Sequence, residues 1–153
     1  MRNLGSVFRY ERERNKDLIR VFNQELKKLD YTSINEVWKR VANSSTKRFW
    51  VSEQRALIVI ARIMRGDDLK SCNPQRREMF FEIYKRFKET KRLNPHCSSP
   101  QVMHMVVSSE APKFYLTPST VRVIIYKIQR GWYENKNRYS EDGRQSNNQE
   151  NTE

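Results

Sequence analysis

Chemistry in this chain has to come from a small set of side chains. Cys72, His96, Cys97 and His104 are the only candidates for a soft-metal site or a thiol nucleophile. Their spacing matches none of the usual zinc-ligand pairs, and the adjacent His96 and Cys97 fit awkwardly into one tetrahedron. A Cys/His nucleophilic pair also needs a third group to orient the base, and none suggests itself. Gly66-Asp67-Asp68 has the composition of a polymerase metal motif, but that motif belongs on a strand hairpin. Here Gly66 closes a helical run, and the two acids fall in the loop that follows. No Gly-rich loop is present to cradle a phosphate. The expectation is a protein without catalytic residues, metal ligands or cofactor, and not an enzyme.

What remains is charge. Lys and Arg number 30 against 18 Asp and Glu, a net of +12. Residues 1–139 hold +15, and residues 140–153 hold −3. A body with that field attracts polyanions, and phosphate backbones are the commonest of these in a cell. The N-terminal residues run into Arg9-Tyr10-Glu11-Arg12 without an apolar stretch, so no secretory signal is expected. The longest apolar run, Ala56 to Met64, is interrupted by Arg62 and too short to span a bilayer. Two unframed cysteines suit a reduced, cytoplasmic chain that makes no use of a membrane.

Helical spacing must position these groups. Leu18, Ile19, Phe22, Leu26 and Leu29 mark a first helix over residues 7–29. Ser33 and Glu36 read as a capping box for a short second helix with Ile34, Val37, Trp38 and Val41 inward. Ser52 caps a third helix that stops at Gly66, apolar almost all round except for a stripe of Arg55, Arg62 and Arg65. Asn73-Pro74, Ser99-Pro100 and Thr117-Pro118 each place a capping side chain before a proline at the first helical position. They open helices over 74–92, 100–110 and 118–132. The last buries Val121, Ile124, Ile125, Ile128 and Trp132. After Tyr139 the composition turns to Ser, Asn, Gln and Glu, which cannot build a core. The expected fold is all-α, a compact bundle of about six helices with a disordered acidic tail at 140–153. Residues 1–48 form N-terminal bracing or dimerising helices, and 49–139 the helical core.

Within Ser99–Gly131, a short helix, a Pro-containing turn and a capped second helix have the makings of a helix-turn-helix unit. The stretch Thr117-Pro118-Ser119-Thr120-Val121-Arg122-Val123-Ile124-Ile125 resembles the recognition-helix segment of many bacterial helix-turn-helix proteins. The resemblance covers about 30 residues at 99–131 and is generic. It implies a DNA-binding module. The turn 111–116 is longer than the tight form and contains Pro112 but no Gly, which suits a looser or winged variant. The rest of the chain resembles small proteins of bacterial mobile elements.

With the apolar face of the last helix buried, Ser119, Val123, Tyr126 and Arg130 lie opposite, flanked by Thr120, Arg122 and Lys127. Ser119, Thr120 and Arg122 occupy the first turns, where base edges are usually reached. Lys127 and Arg130 lie further along and suit phosphates, as does Lys113 in the turn. No acidic residue occurs between Lys113 and Arg130. Arg55, Arg62, Arg65, Arg76 and Arg77 are expected as a secondary set of phosphate contacts, while the Arg55, Arg62 and Arg65 stripe also reads as the solvated face of a buried helix.

The sequence thus reads as a DNA-binding protein, a transcriptional regulator or accessory factor of a mobile element, its partner double-stranded DNA. The N-terminal helices offer a homodimer for paired half-sites. Two other readings stay open. One is a helical adaptor or structural component whose basic surface meets an acidic protein. The other is an RNA-binding protein, although the aromatic sheet platforms of RNA modules are missing.

Overall fold

The computed structural model describes residues 4–28 and 33–134, with side chains from Tyr10 onward. The tail 140–153, expected to be disordered, lies outside the described residues, as does Leu29 of the expected first core face. Six main helices follow one another: α1 (Leu4–Lys27), α2 (Ile34–Ala42), α3 (Glu53–Met64), α4 (Pro74–Leu93), α5 (Ser99–Val107) and α6 (Pro118–Gln129). The all-α reading holds. Among the described residues the only β-type pairing is one antiparallel bridge, Thr46 with Ala111.

Local chemistry sets the helix ends. Ser52, Asn73 and Thr117 each accept a backbone N–H from the first turn of α3, α4 and α6. Two expected caps differ. Ser33 precedes α2 but its side chain caps nothing, and Glu36 pairs instead with Lys39 at 3.6 Å. The reciprocal capping box forms at α5, between Ser98 and Gln101. The cap there is Ser98 and not Ser99, which puts Pro100 second in the helix. That position still carries no intrahelical N–H bond, so the proline costs nothing.

The six helices divide into two triplets. Leu18, Val21 and Phe22 of α1, Val37, Trp38 and Val41 of α2, and Val121, Ile124 and Ile125 of α6 form one core. Ala56, Val59, Ile60 and Ile63 of α3, Met79, Phe80, Ile83 and Phe87 of α4, and Val102, Met103, Val106 and Val107 of α5 form the other. Every helix–helix contact falls within a triplet: α1, α2 and α6 on one side, α3, α4 and α5 on the other. Thus α6 belongs with the N-terminal helices and not with the grouping 49–139. The unit α3–α5 is an insertion between α2 and α6.

A short neck joins the units. Thr46 and Ala111 exchange both backbone hydrogen bonds, at 3.0 and 2.9 Å. Neighbouring side chains on either side of this pairing go to different cores. Phe49 enters the α3–α5 core while Trp50 packs on the α1–α2–α6 core. On the limb that follows Ala111, Phe114 and Tyr115 do the same in reverse order. Tyr115 takes a left-handed backbone with φ 57° to achieve this, a conformation that costs a side-chain-bearing residue roughly 1 kcal/mol. Its ring stacks on Phe49 at 6.1 Å. Burial, with Glu82 and Glu78 nearby, pushes its phenol up to about 12, so it stays protonated.

One carboxylate ties α1 to the neck. Asp17 is 2% exposed. It accepts from the Thr46 hydroxyl, from the Lys47 amide at 3.0 Å and from Arg20 at 2.6 Å. Trp50 Nε1 donates to the same Thr46 hydroxyl oxygen at 2.7 Å. Burial pushes the Asp17 carboxyl up, but the bonds from Thr46, Lys47 and Arg20 outweigh it, and the net direction is down.

Two core expectations are corrected. The helix read as centrally buried, α3, packs on one side only and leaves Ile58 and Met64 about half exposed. Trp132 is exposed, because α6 ends at Gln129 and Gly131, with φ 69°, turns the chain out of helical register. Tyr133 packs against the core instead.

Because the folded Asp17 carboxyl sits below its ordinary range, its stabilisation is present at neutral pH and is lost as pH falls through the folded value. Asp17→Asn should cost about 2–3 kcal/mol at pH 7 by urea unfolding, and the difference from the parent should shrink in acid. A difference that stays constant down to about pH 2 would contradict the assigned ionisation.

Candidate nucleic-acid interface

α6 presents its outer row because its inner row is held from two sides. Val121 and Ile125 are fully buried against α1 and α2. The residues opposite, Ser119, Arg122, Val123, Tyr126 and Arg130, are all exposed and follow helical spacing. Val123 is 49% exposed and Tyr126 43%. The helix spans 12 residues, about 18 Å.

Two cations of this face, Arg122 and Lys127, lie over aromatic rings. The Arg122 guanidinium lies 5.6 Å over the Tyr126 ring, which in turn contacts Trp38 of α2 at 6.1 Å. Trp38 stacks on Phe22 of α1 at 5.2 Å. A line of rings therefore runs from the core to the surface and ends under a guanidinium. Lys127, half-buried, sits 4.6 Å over Trp132. Among the described residues no carboxylate pairs with Arg122, Lys127 or Arg130, in contrast to Arg20, Arg62, Arg86 and Arg92. Thr120 is exposed, but its hydroxyl bonds Thr117 at 2.8 Å within the cap.

The remaining expected residues are placed elsewhere. Lys113 is bound to Glu78 of α4 at 2.5 Å and faces the inserted unit. Its position two residues from the neck bridge, and not its place in a turn before α6, decides this. The secondary set lies on α3 and α4, which make no contact with α6. Within that set Arg62 pairs with Asp67 at 2.8 Å, Arg65 bonds the Ala61 carbonyl at 3.2 Å and Arg77 the Asp68 carbonyl at 2.8 Å. Arg55 and Arg76 are exposed. The structure does not gather these five with the α6 row.

The expected bracing of α6 by the helix before it also differs. α5 and α6 make no packing contact; α2 lies along α6 in its place. The long turn 108–117 is the return limb of the neck, so it cannot fold into a tight hairpin. Sequence reasoning missed α2 as part of this surface. It exposes Lys39, paired with Glu36, and Arg40. Their outward position was readable from the helical wheel, whereas the pairing of α2 with α6 across the insertion was not.

Other surface features have different chemistry. A groove of about 830 Å³ runs along α4 past Lys70, Arg77, Glu78, Phe81 and Glu82, and its charges are mixed. His104 bonds Glu53 at 2.5 Å across α5 and α3. No helix among the described residues is long and apolar enough to cross a membrane. Comparison with protein-family models, with curated proteins and with solved structures finds no match.

Tyr126→Ala should uncover Trp38 and shift tryptophan emission to longer wavelength, at a stability cost of about 1 kcal/mol. An unchanged spectrum would contradict the ring contact between α2 and α6.

Proposed function

We propose that the protein binds double-stranded DNA through the outer row of α6 and acts as a regulator or accessory factor rather than as an enzyme. One observation carries this reading. A 12-residue helix free of acidic residues presents Ser119, Arg122, Val123, Tyr126 and Arg130 outward while two other helices hold it from behind. In this reading α1 and α2 serve as the bracing helices of a three-helix DNA-binding unit. Ser119 and Arg122 face base edges, and Arg130 and Lys127 face phosphates. Val123 and the rim of Tyr126 offer apolar contact to a thymine methyl or a sugar. The net +15 of residues 1–139 supports encounter with the polyanion.

The exposed pair Val123 and Tyr126 favours a second reading, in which the same row docks on a protein. The two readings differ in what the surface needs. DNA binding needs the arginines and is salt-dependent, whereas protein docking needs the apolar pair.

Titration with random and genomic duplexes at about 50 and 200 mM salt should show a loss of about 10³-fold or more in affinity. Arg122→Ala should cost about 1–3 kcal/mol, and Arg130→Ala should reduce the salt slope by about 1. Binding left intact by both substitutions would remove α6 from the interface. Absence of binding at the lower salt would overturn the DNA reading.

A further inference from the structure

We infer that the acidic segment 140–153 of this same chain docks on the outer row of α6 and competes there with nucleic acid. Three observations meet at this surface. The first is the lack of carboxylate partners for Arg122, Lys127 and Arg130 among the described residues, although many of the chain's other cations are paired. The second is charge. Residues 140–153 carry four acids, Glu141, Asp142, Glu150 and Glu153, against one base, Arg144, in a chain otherwise strongly positive.

The third is position. The described chain leaves α6 at Gln129, turns at Gly131 and reaches Glu134, beside the C-terminal end of the cationic row. Glu141 and Asp142 follow seven and eight residues later. Seven residues reach up to about 23 Å when extended. α6 itself is about 18 Å long. The first two carboxylates can therefore reach any cation from Arg130 back to Arg122, and the later two can reach beyond. An intramolecular acid at such a distance acts at high effective concentration, so weak individual pairs suffice.

The consequence is a threshold on binding. Sequence-blind attraction to phosphate is the part a charged competitor removes most readily, because both are electrostatic. Contacts to base edges are not replaced by a carboxylate tail. This competition presupposes the nucleic-acid reading of α6, but the docking itself does not.

The test compares the full chain with a full-length variant carrying Glu141→Gln, Asp142→Asn, Glu150→Gln and Glu153→Gln. Without DNA, neutralising the tail should shift the amide resonances of Ser119–Arg130. With a random duplex at about 50 mM salt, the variant should bind about tenfold tighter, and the gap should close as salt screens both partners. Unshifted α6 amides, or shifts confined to the α3–α5 unit, would overturn the docking. Shifted α6 amides with equal duplex affinity would overturn the competition. Shifted α6 amides with no duplex binding by either form would uphold the docking and defeat the DNA reading instead.

Discussion

A single buried carboxylate ties the first helix to the neck that joins the two halves of this molecule. Asp17 takes the Thr46 hydroxyl and the Lys47 amide, and Thr46 in turn takes Trp50 Nε1 and pairs its backbone with Ala111. Removing the carboxylate would strip the Thr46 hydroxyl and the Lys47 amide of their acceptor, a cost for groups placed where water is scarce. Arg20 balances the charge from the solvent side. Among the described residues no helix of one unit contacts a helix of the other, and both limbs of the chain that frame the neck feed one aromatic ring to each core. The α6 row depends on it at one remove. The return limb bonds Phe114 to the Ala42 carbonyl and so delivers α6 back against α2.

That delivery explains how a helix at the end of the chain acquires a firm support. A helix of 12 residues is marginal alone. Packed against both α1 and α2, it buries Val121, Ile124 and Ile125 and keeps the opposite face open. The ring series Phe22, Trp38, Tyr126 then fixes where the Arg122 guanidinium sits. A cation placed by aromatic rings keeps its hydrogen-bonding edge free for a ligand, whereas one placed by a carboxylate does not.

The helices and the outward residues of α6 were legible in the sequence because caps, prolines and apolar spacing are local signals. Thr117-Pro118 and the run Val121, Ile124, Ile125 needed no knowledge of the partner. The partners themselves were not legible. A short helix followed by a turn and another helix invites the pairing of α5 with α6, yet Ala111 is committed to Thr46, sixty-five residues earlier. The side-chain alternation that sends Phe114 and Tyr115 to different cores has no helical period and no glycine to announce it. Trp132 misled for a similar reason. It fits the apolar row at helical spacing, and only the left-handed turn at Gly131 takes it out.

The central claim is that the outer row of α6, supported by α1 and α2, is where nucleic acid is met. Mapping amide shifts across the full chain on addition of a short duplex at about 100 mM salt tests it most directly. The account predicts shifts concentrated in Ser119–Arg130, with smaller ones at Lys39 and Arg40 of α2 and little change along α4. Shifts concentrated at Arg76, Arg77 and the α4 groove, with α6 silent, would contradict it and move the interface to the inserted unit.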